Sequence, residues 1–230
     1  MAGALKFEDQ FRLKREYFLN QLDFLNWYRY FFLMKQVINF APDDVLEVGT
    51  GSGILKSCLQ PLVKRYTVLD INPALEPDIL GDVRTHLAEF CERFDCVIIA
   101  DVLEHIPFAD VPQSLANIYA YLKPRGKALI TIPHRRSHFL FMTPAQKPRV
   151  VTVPTGFLSP GGFYRRFIKR RIWIDPHHCW EIGDGKIRRR DVDGVCREVG
   201  FAIERVMKLL YVDFWVLTKS SPPTGEIPGV

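Results

Sequence analysis

Cysteine is scarce in this chain: five in 230 residues, with no C-x-x-C pair. An odd count at irregular spacing excludes a disulfide framework and a cysteine-based zinc module, and it points to a reducing, cytoplasmic compartment. Long uncharged apolar runs are absent as well. None reaches the ~18 residues that a membrane-spanning helix needs. The opening stretch, MAGALKFEDQ, is too charged to read as a secretory signal. Internal repeats are missing too. What remains is ordinary globular material, 47% apolar, enough for one large α/β domain with additions.

Against that background one string stands out, Val45 to Gly53, VLEVGTGSG. A short apolar run leads into an acid, Glu47; glycines follow at alternate positions, Gly49, Gly51 and Gly53; a helix-compatible stretch begins at Ile54. This is a strand, a tight turn and a helix start, the geometry by which α/β proteins bring backbone against a nucleotide-like ligand. Glycine serves the turn because it tolerates positive φ and leaves room where a Cβ would meet the ligand. The dinucleotide fingerprint would need a glycine at position 54, and a triphosphate loop would need Lys-Ser/Thr after the turn; neither is present. Glu47 would repel a pyrophosphate but suits a ligand carrying an ammonium group.

At this point the chain resembles the class I S-adenosylmethionine-dependent methyltransferases, whose first motif is an acid followed by G-x-G-x-G. Further matches follow in order. Tyr66 to Ile71 is a second buried strand ending in Asp70, 21 positions after Gly49, the separation at which an acid can bond ribose hydroxyls. Leu80-Gly81-Asp82-Val83 is similar to the loop that reads the adenine. Phe94 to Ala100 is a further strand running into Asp101-Val102-Leu103-Glu104-His105, a string that resembles the small-molecule branch containing the quinone-biosynthesis enzymes. Leu122 to Lys127 is a helix end and turn before a fifth strand, Ala128 to Ile132.

The resemblance implies a Rossmann-like α/β fold: a seven-stranded, mostly parallel sheet with a C-terminal antiparallel hairpin and helices on both faces. It implies S-adenosylmethionine as cofactor and S-adenosylhomocysteine as product. Its site residues map onto Glu47, Gly49, Thr50, Gly51 and Gly53 at the turn and Asp70 with Ile71 at the ribose and adenine. Asp82 and Val83 fall at the adenine, Asp101 and Val102 beneath the methionine and sulfonium, and His105 at a helix start near the cofactor.

The organisation expected from the sequence is an N-terminal helical cap over 1–40, a cofactor-binding core over 41–134 and an insert over 135–185. A C-terminal helix with two strands follows over 186–219, then a disordered tail over 220–230. The cap is crowded with aromatics near helical spacing, Phe7 to Phe40, which suits either a pocket wall, packing on the sheet or a dimer seam. Helices are expected over Ile54 to Leu62, parts of Leu75 to Cys91, and Val111 to Leu122 with Asp110 as N-cap. The insert carries five prolines and a Gly161-Gly162 pair, so regular structure there is expected to be short. Its place after the fifth strand, at the carboxyl edge of the sheet, makes it a candidate lid.

Charge is unevenly placed. The chain is net +5, yet His134 to Arg190 alone is net +10, leaving −5 for the rest. Such asymmetry suits an anionic small-molecule acceptor, with nucleic acid or an anionic membrane or partner protein as alternatives, or simply a solvated insert. Arg165, Arg166, Arg170 and Arg171, with nearby aromatics, would suit RNA. The strand exit Asp101-Val102-Leu103-Glu104, however, lacks the tetrapeptide of the base amino methylases, and no appended RNA-binding module follows. Candidates for proton transfer are His177 and His178, in Asp175-Pro176-His177-His178-Cys179-Trp180-Glu181, and His134 just after the fifth strand. A metal held by His177, His178, Cys179 and Glu181 has the ligand types but the wrong spacing for a helical pair, so no metal is expected. The molecule is expected to be a monomer or homodimer.

Overall fold

The structure, a computed structural model, describes residues 24–134, 136–142, 148–154, 160–169 and 174–220. Helix α1 (Phe24–Phe40) precedes five parallel strands: β1 (Asp44–Val48), β2 (Arg65–Asp70), β3 (Ile79–Leu80), β4 (Phe94–Ala100) and β5 (Leu122–Pro133). Helix α2 (Ile54–Leu59) links β1 to β2, and α3 (Val111–Tyr121) links β4 to β5. The insert then supplies β6 (Arg136–Met142) and β7 (Pro148–Pro154). After it, α4 (Arg189–Val199) leads into β8 (Phe201–Lys208) and β9 (Val212–Lys219), which pair antiparallel, with β9 against β5. The order across the seven-stranded sheet is β3-β2-β1-β4-β5-β9-β8. The order in which strands join the sheet therefore reverses between β1 and β4. In open α/β sheets the crevice beyond the carboxyl ends of the strands at such a reversal is where ligands bind.

Alternation along the strands divides the core in two. Leu46, Val48, Val97 and Ile99 face one side, with α3 and α4 over them. Val45, Val68 and Ile98 face the other, under Leu33 and Val37 of α1 and Leu55 and Leu59 of α2. With helices on both faces, β1 is buried along its whole length and β4 along nearly all of it, which is why both read as nearly unbroken apolar runs. The exceptions in β1 are Asp44 at its start and Glu47 near its end, and each holds polar partners at its own edge of the sheet.

The sequence expectations hold for the sheet, the C-terminal hairpin and the helix over 189–199, which ends on Gly200 at φ 111°. Three others need correcting. The stretch Leu75 to Cys91 contains no α-helix, only strand β3 and the 3₁₀ turns Pro73–Leu75 and Ala88–Phe90; Pro73 and Pro77 prevent a helix from propagating between β2 and β3. Asp110 makes no side-chain cap on α3; its carboxylate meets Arg84 Nη1 at 3.4 Å instead. The insert holds more regular structure than its prolines suggest. Strands β6 and β7 pair antiparallel over seven residues each, with Pro148 and Pro154 at strand ends, where a missing N–H is tolerated. Helical turns cover Pro160–Phe163 and Tyr164–Ile168. The part of the expected helical cap before Phe24, the side chains of Arg165, Arg166, Arg170 and Arg171, and the tail beyond Ser220 lie outside the described residues. Among the described residues, no helix is long and apolar enough to cross a membrane.

The amino edge of the sheet is closed by ion pairs, opposite the ligand edge. Asp44 receives Arg65 Nε at 2.5 Å and Lys123 Nζ at 2.8 Å, and Lys123 also reaches Asp95 Oδ1 at 2.9 Å. Asp95 in turn accepts the Asp44 backbone N–H at 2.9 Å, so β1, β4 and the start of β5 are clasped together. The hydrogen bond from Arg65, with help from Lys123, holds the Asp44 carboxyl down at about 2. A carboxyl lowered by folding lends stability above its ordinary pKa and withdraws it as pH falls through the folded value. Denaturant titration should therefore find Asp44→Asn less stable than the parent by about 1–2 kcal/mol at neutral pH. The gap should close between pH 4 and pH 2.

Candidate active site

The turn after β1 has the backbone that its glycines permit. Gly49, Gly51 and Gly53 all have positive φ, at 76°, 50° and 70°. At Gly49 there is a second reason for the missing side chain: a Cβ there would collide with a methyl of Val102, arriving from the neighbouring strand. At Gly51 the opposite holds, since a Cβ would project into open space. The first glycine is thus fixed by packing, and the second keeps the cavity clear.

Two acids hold this turn. Asp70, at the end of β2, accepts the Thr50 backbone N–H at 2.9 Å and the Asn72 backbone N–H at 2.8 Å. Glu47 lies beneath the turn, 2% exposed, accepting from the Tyr66 hydroxyl at 3.0 Å and the Thr50 hydroxyl at 3.3 Å. Burial outweighs these hydrogen bonds and pushes its carboxyl up to about 8. A cationic group in the cavity above would reverse that shift, as the ammonium of S-adenosylmethionine would. Nearby, Asp82 is gripped by Arg84, whose Nε lies 3.0 and 2.9 Å from its two oxygens, and this pairing holds its pKa down. Val83 is buried and fixed through its carbonyl by Asn117 at 2.8 Å, while Ile71 remains exposed at the rim. The cradle fits the cofactor expected there: open space above Gly51, a buried acid suited to a cation, and acids at the ends of β2 and β3.

Asp101 lies at the carboxyl end of β4 with φ 56°, an unfavourable backbone for a non-glycine residue. Three elements hold it there. Its carboxylate accepts from the Thr131 hydroxyl at 2.6 Å and the Tyr211 hydroxyl at 3.1 Å, and pairs with Arg29 of α1 at 2.5 Å. Arg29 is only 6% exposed. Tyr30, its neighbour, bonds Ser52 of the glycine turn at 3.1 Å. Neither Arg29 nor Tyr211 was singled out from the sequence. The available signal was one arginine in an otherwise aromatic and apolar helix face.

Beyond Asp101 the chain turns through Leu103–His105. Against this turn folds the end of the insert. The Cys179 N–H donates to the Glu104 carbonyl at 2.7 Å, Trp180 Nε1 donates to the Ile106 carbonyl at 3.0 Å, and the buried Trp180 ring packs edge-on to Phe108. This staple brings three of the predicted histidines to one place. The His105 ring lies edge-on to the His178 ring, with centroids 4.8 Å apart, and its Nδ1–H donates to the His177 carbonyl at 3.1 Å. His178 Nδ1–H donates to Glu181 at 2.7 Å, and Glu181 is fully buried and also accepts the Asp175 N–H at 3.0 Å. His134, directly after β5, is apart from these three: it is 4% exposed, in the cavity wall, with its backbone N–H donating to the Tyr211 carbonyl at 2.9 Å.

Glu104, within the motif after β4, has a place in the structure that the sequence does not announce. It is fully buried, and neither carboxylate oxygen has a hydrogen-bond partner among the described residues. Burial, with Asp101 close by, raises its pKa well above the usual range. One ligand atom each from Glu104, His105 and His178 lies within 4.8 Å of the others, a set that could hold a metal ion. The sequence had weighed a different set. Of His177, His178, Cys179 and Glu181, only His178 belongs to this cluster; Glu181 stands behind it, and Cys179 turns its sulfur to the His105 carbonyl.

A single cavity of about 940 Å³ reaches from the glycine turn to this cluster. It is at the large end for small-molecule pockets and has room for a cofactor and an acceptor together. From the insert, the described lining residues are Asp175, His177, His178 and Glu181.

Two outcomes follow for the cofactor half. Gly51→Val should cost about 1–2 kcal/mol of stability through its positive φ, yet leave a folded protein that no longer binds S-adenosylhomocysteine by calorimetry. Glu47, with a folded pKa raised above its ordinary 4.5, withdraws stability as pH climbs from there through about 8. Thermal melts of the ligand-free protein should decline across that window, and Glu47→Gln should flatten the decline.

The sequence comparisons agree with this geometry. Residues 20–206 match the family model described as a methyltransferase domain. A ubiquinone biosynthesis O-methyltransferase from Proteus mirabilis is 26% identical over 167 residues, covering 66% of each chain. A ribosomal RNA small subunit methyltransferase A from Thermobifida fusca is 32% identical over 110 residues, 46% of this chain and 38% of that protein. The match thus spans just under two thirds of the first relative and well under half of the second. Among solved structures, the N-methyltransferase NodS from Bradyrhizobium japonicum, in complex with S-adenosylhomocysteine, shares the fold with a TM-score of 0.60 at 14% identity, over 90% of this chain and 93% of that one. The cradle built on Glu47, the glycine turn and Asp70 and the match over residues 20–206 together place this chain in the methyltransferase-domain family, among the class I S-adenosylmethionine-dependent methyltransferases.

Proposed function

We propose that this protein methylates a hydroxyl oxygen of a small, anionic acceptor seated in the outer half of the cavity, beside His105 and His178. The observation that carries this reading is the continuity of the cavity: the cofactor cradle and the histidine cluster share one space. Bound S-adenosylmethionine supplies an activated methyl group on a sulfonium. The chain's own residues must hold the acceptor in line, exclude water and handle its proton.

His178 is the residue suited to the proton. Glu181 fixes its tautomer and orientation through Nδ1, which leaves the Nε2 lone pair to accept. His105, whose pKa is lowered by burial and by the neighbouring His178, lines the same wall. His177 and His134 serve as positioning residues, one through its carbonyl and one in the wall. Oxygen as the accepting atom is supported by the relative from Proteus mirabilis, an O-methyltransferase of ubiquinone biosynthesis. The net charge of +10 over His134 to Arg190 supports an anionic acceptor, with the insert as its lid. A second reading, RNA as substrate, is favoured by the match to a ribosomal RNA methyltransferase and by the same charge.

Methyl transfer should be followed as S-adenosylhomocysteine production over a panel of hydroxylated aromatic acids, with mixed RNA as a separate arm. His178→Ala should lower kcat by ~10²-fold or more with a smaller change in KM, and Glu181→Gln should fall between it and the parent. Turnover on RNA with none on the acids would overturn the small-molecule reading. Undiminished kcat in His178→Ala would remove the proton-accepting role.

A further inference from the structure

We infer that Glu104, His105 and His178 form a binding site for a divalent first-row transition metal, which engages the acceptor's hydroxyl oxygen. The inference deepens the proposed function and rests on it for the acceptor. With the metal in place His178 is a ligand rather than the proton acceptor, and the metal takes up the charge of the ionising hydroxyl.

The three donors come from two segments. Glu104 and His105 lie on the turn after β4, and His178 lies at the end of the insert; the contacts of Cys179 and Trp180 bind the two segments together. One donor atom from each falls within 4.8 Å of the others. Metal–ligand bonds of about 2.0–2.2 Å put neighbouring donors roughly 3–4 Å apart, so small side-chain rotations complete the site.

Two further observations point to a cation independently of that proximity. Glu104 is 0% exposed, lines the cavity and has no hydrogen-bond partner for either carboxylate oxygen among the described residues. A buried carboxylate of that kind calls for a positive partner. The obvious local cation, Arg29, makes its ion pair with Asp101. The second observation is the support behind the rings. His105 Nδ1 is held by the His177 carbonyl and His178 Nδ1 by the buried Glu181 carboxylate. Metal-bound histidines are almost always anchored this way through the nitrogen that does not ligate, which directs Nε2 at the metal.

Two imidazoles and one carboxylate suit zinc, manganese, iron or cobalt better than magnesium or calcium. Asp101 is not counted among the ligands, because Thr131, Tyr211 and Arg29 already hold its carboxylate. Three protein ligands leave positions open to substrate. An acceptor hydroxyl bound there gives up its proton to water near neutral pH. The oxygen then forms a bond to the methyl carbon as the carbon–sulfur bond breaks, and the sulfonium leaves as a neutral thioether.

The test uses the full chain after chelator treatment and dialysis. Co²⁺ titration should bring up visible d–d absorption bands that saturate at one equivalent, and Zn²⁺ should displace them. Glu104→Gln and His178→Ala should each weaken Co²⁺ binding by ~100-fold or more, and Glu181→Gln by about 10–100-fold. Cys179→Ser should bind as the parent does. Calorimetry with S-adenosylhomocysteine and far-UV circular dichroism show which variants are folded. If the parent binds neither Co²⁺ nor Zn²⁺ up to millimolar concentration, or if both ligand variants bind like the parent, the inference is overturned. Full activity of the chelated, metal-free parent, with kcat still lowered in His178→Ala, would sink the metal and leave the proton-accepting reading standing.

Discussion

The carboxylate of Asp101 is the point on which the ligand edge of this molecule depends. It lies at the strand reversal with a backbone that a non-glycine residue adopts only under constraint, at φ 56°. Three partners supply the constraint: Arg29 from the N-terminal helix, Thr131 from β5 and Tyr211 from the turn before β9. One small anion thereby sets the position of a helix and two strands around the cavity. The same pairing keeps the Arg29 guanidinium protonated despite its burial, because the Asp101 charge offsets the cost of removing it from water.

The cavity is built from two halves with different logic. In the cofactor half the groups are local: an acid below the turn, an acid at the next strand end, and glycines that clear the space. Glu47 and Asp70 are tied to the turn by hydrogen bonds with Thr50, and Glu47 also to Tyr66, all within the unit formed by β1, the turn, α2 and β2. In the acceptor half the groups are distant in sequence. Glu104 and His178 meet only because the end of the insert, 74 residues further along the chain, folds back and lays Trp180 against Phe108. An apolar contact and a few backbone hydrogen bonds thus position the polar chemistry. This division fits a family in which one cofactor serves many acceptors, since the downstream loop can change without disturbing the cradle.

The stability of the sheet is handled at its other edge. The Asp44, Arg65, Lys123 and Asp95 cluster ties the strand starts together away from the cavity. Burying Glu47 with a raised pKa, and Glu104 with no hydrogen-bond partner for its oxygens among the described residues, is unfavourable for the ligand-free fold. Both lie at the carboxyl edge, so the groups that weaken the fold are concentrated where ligands would relieve them.

The sheet and the cofactor cradle were legible in the sequence because their signals are short-range. Unbroken apolar runs give buried parallel strands, alternate glycines give a turn, and acids at strand ends give polar groups at the crevice. Helix placement failed between β2 and β4, where Pro73 and Pro77 replaced a helix with 3₁₀ turns, and the insert's prolines hid a pair of seven-residue strands by standing at strand ends. Sequence by itself determined the fold and the cofactor, and the short strand and turn motifs announced Glu47, Asp70 and Asp82 at the ligand edge of the sheet, where the structure has them. Tertiary structure alone decided that Arg29 closes on Asp101 and that His178 faces His105 and Glu104 rather than its sequence neighbours. The physical reason is that these contacts are set by packing between segments distant along the chain, and side-chain direction across such a contact leaves no periodic mark in the residues on either side.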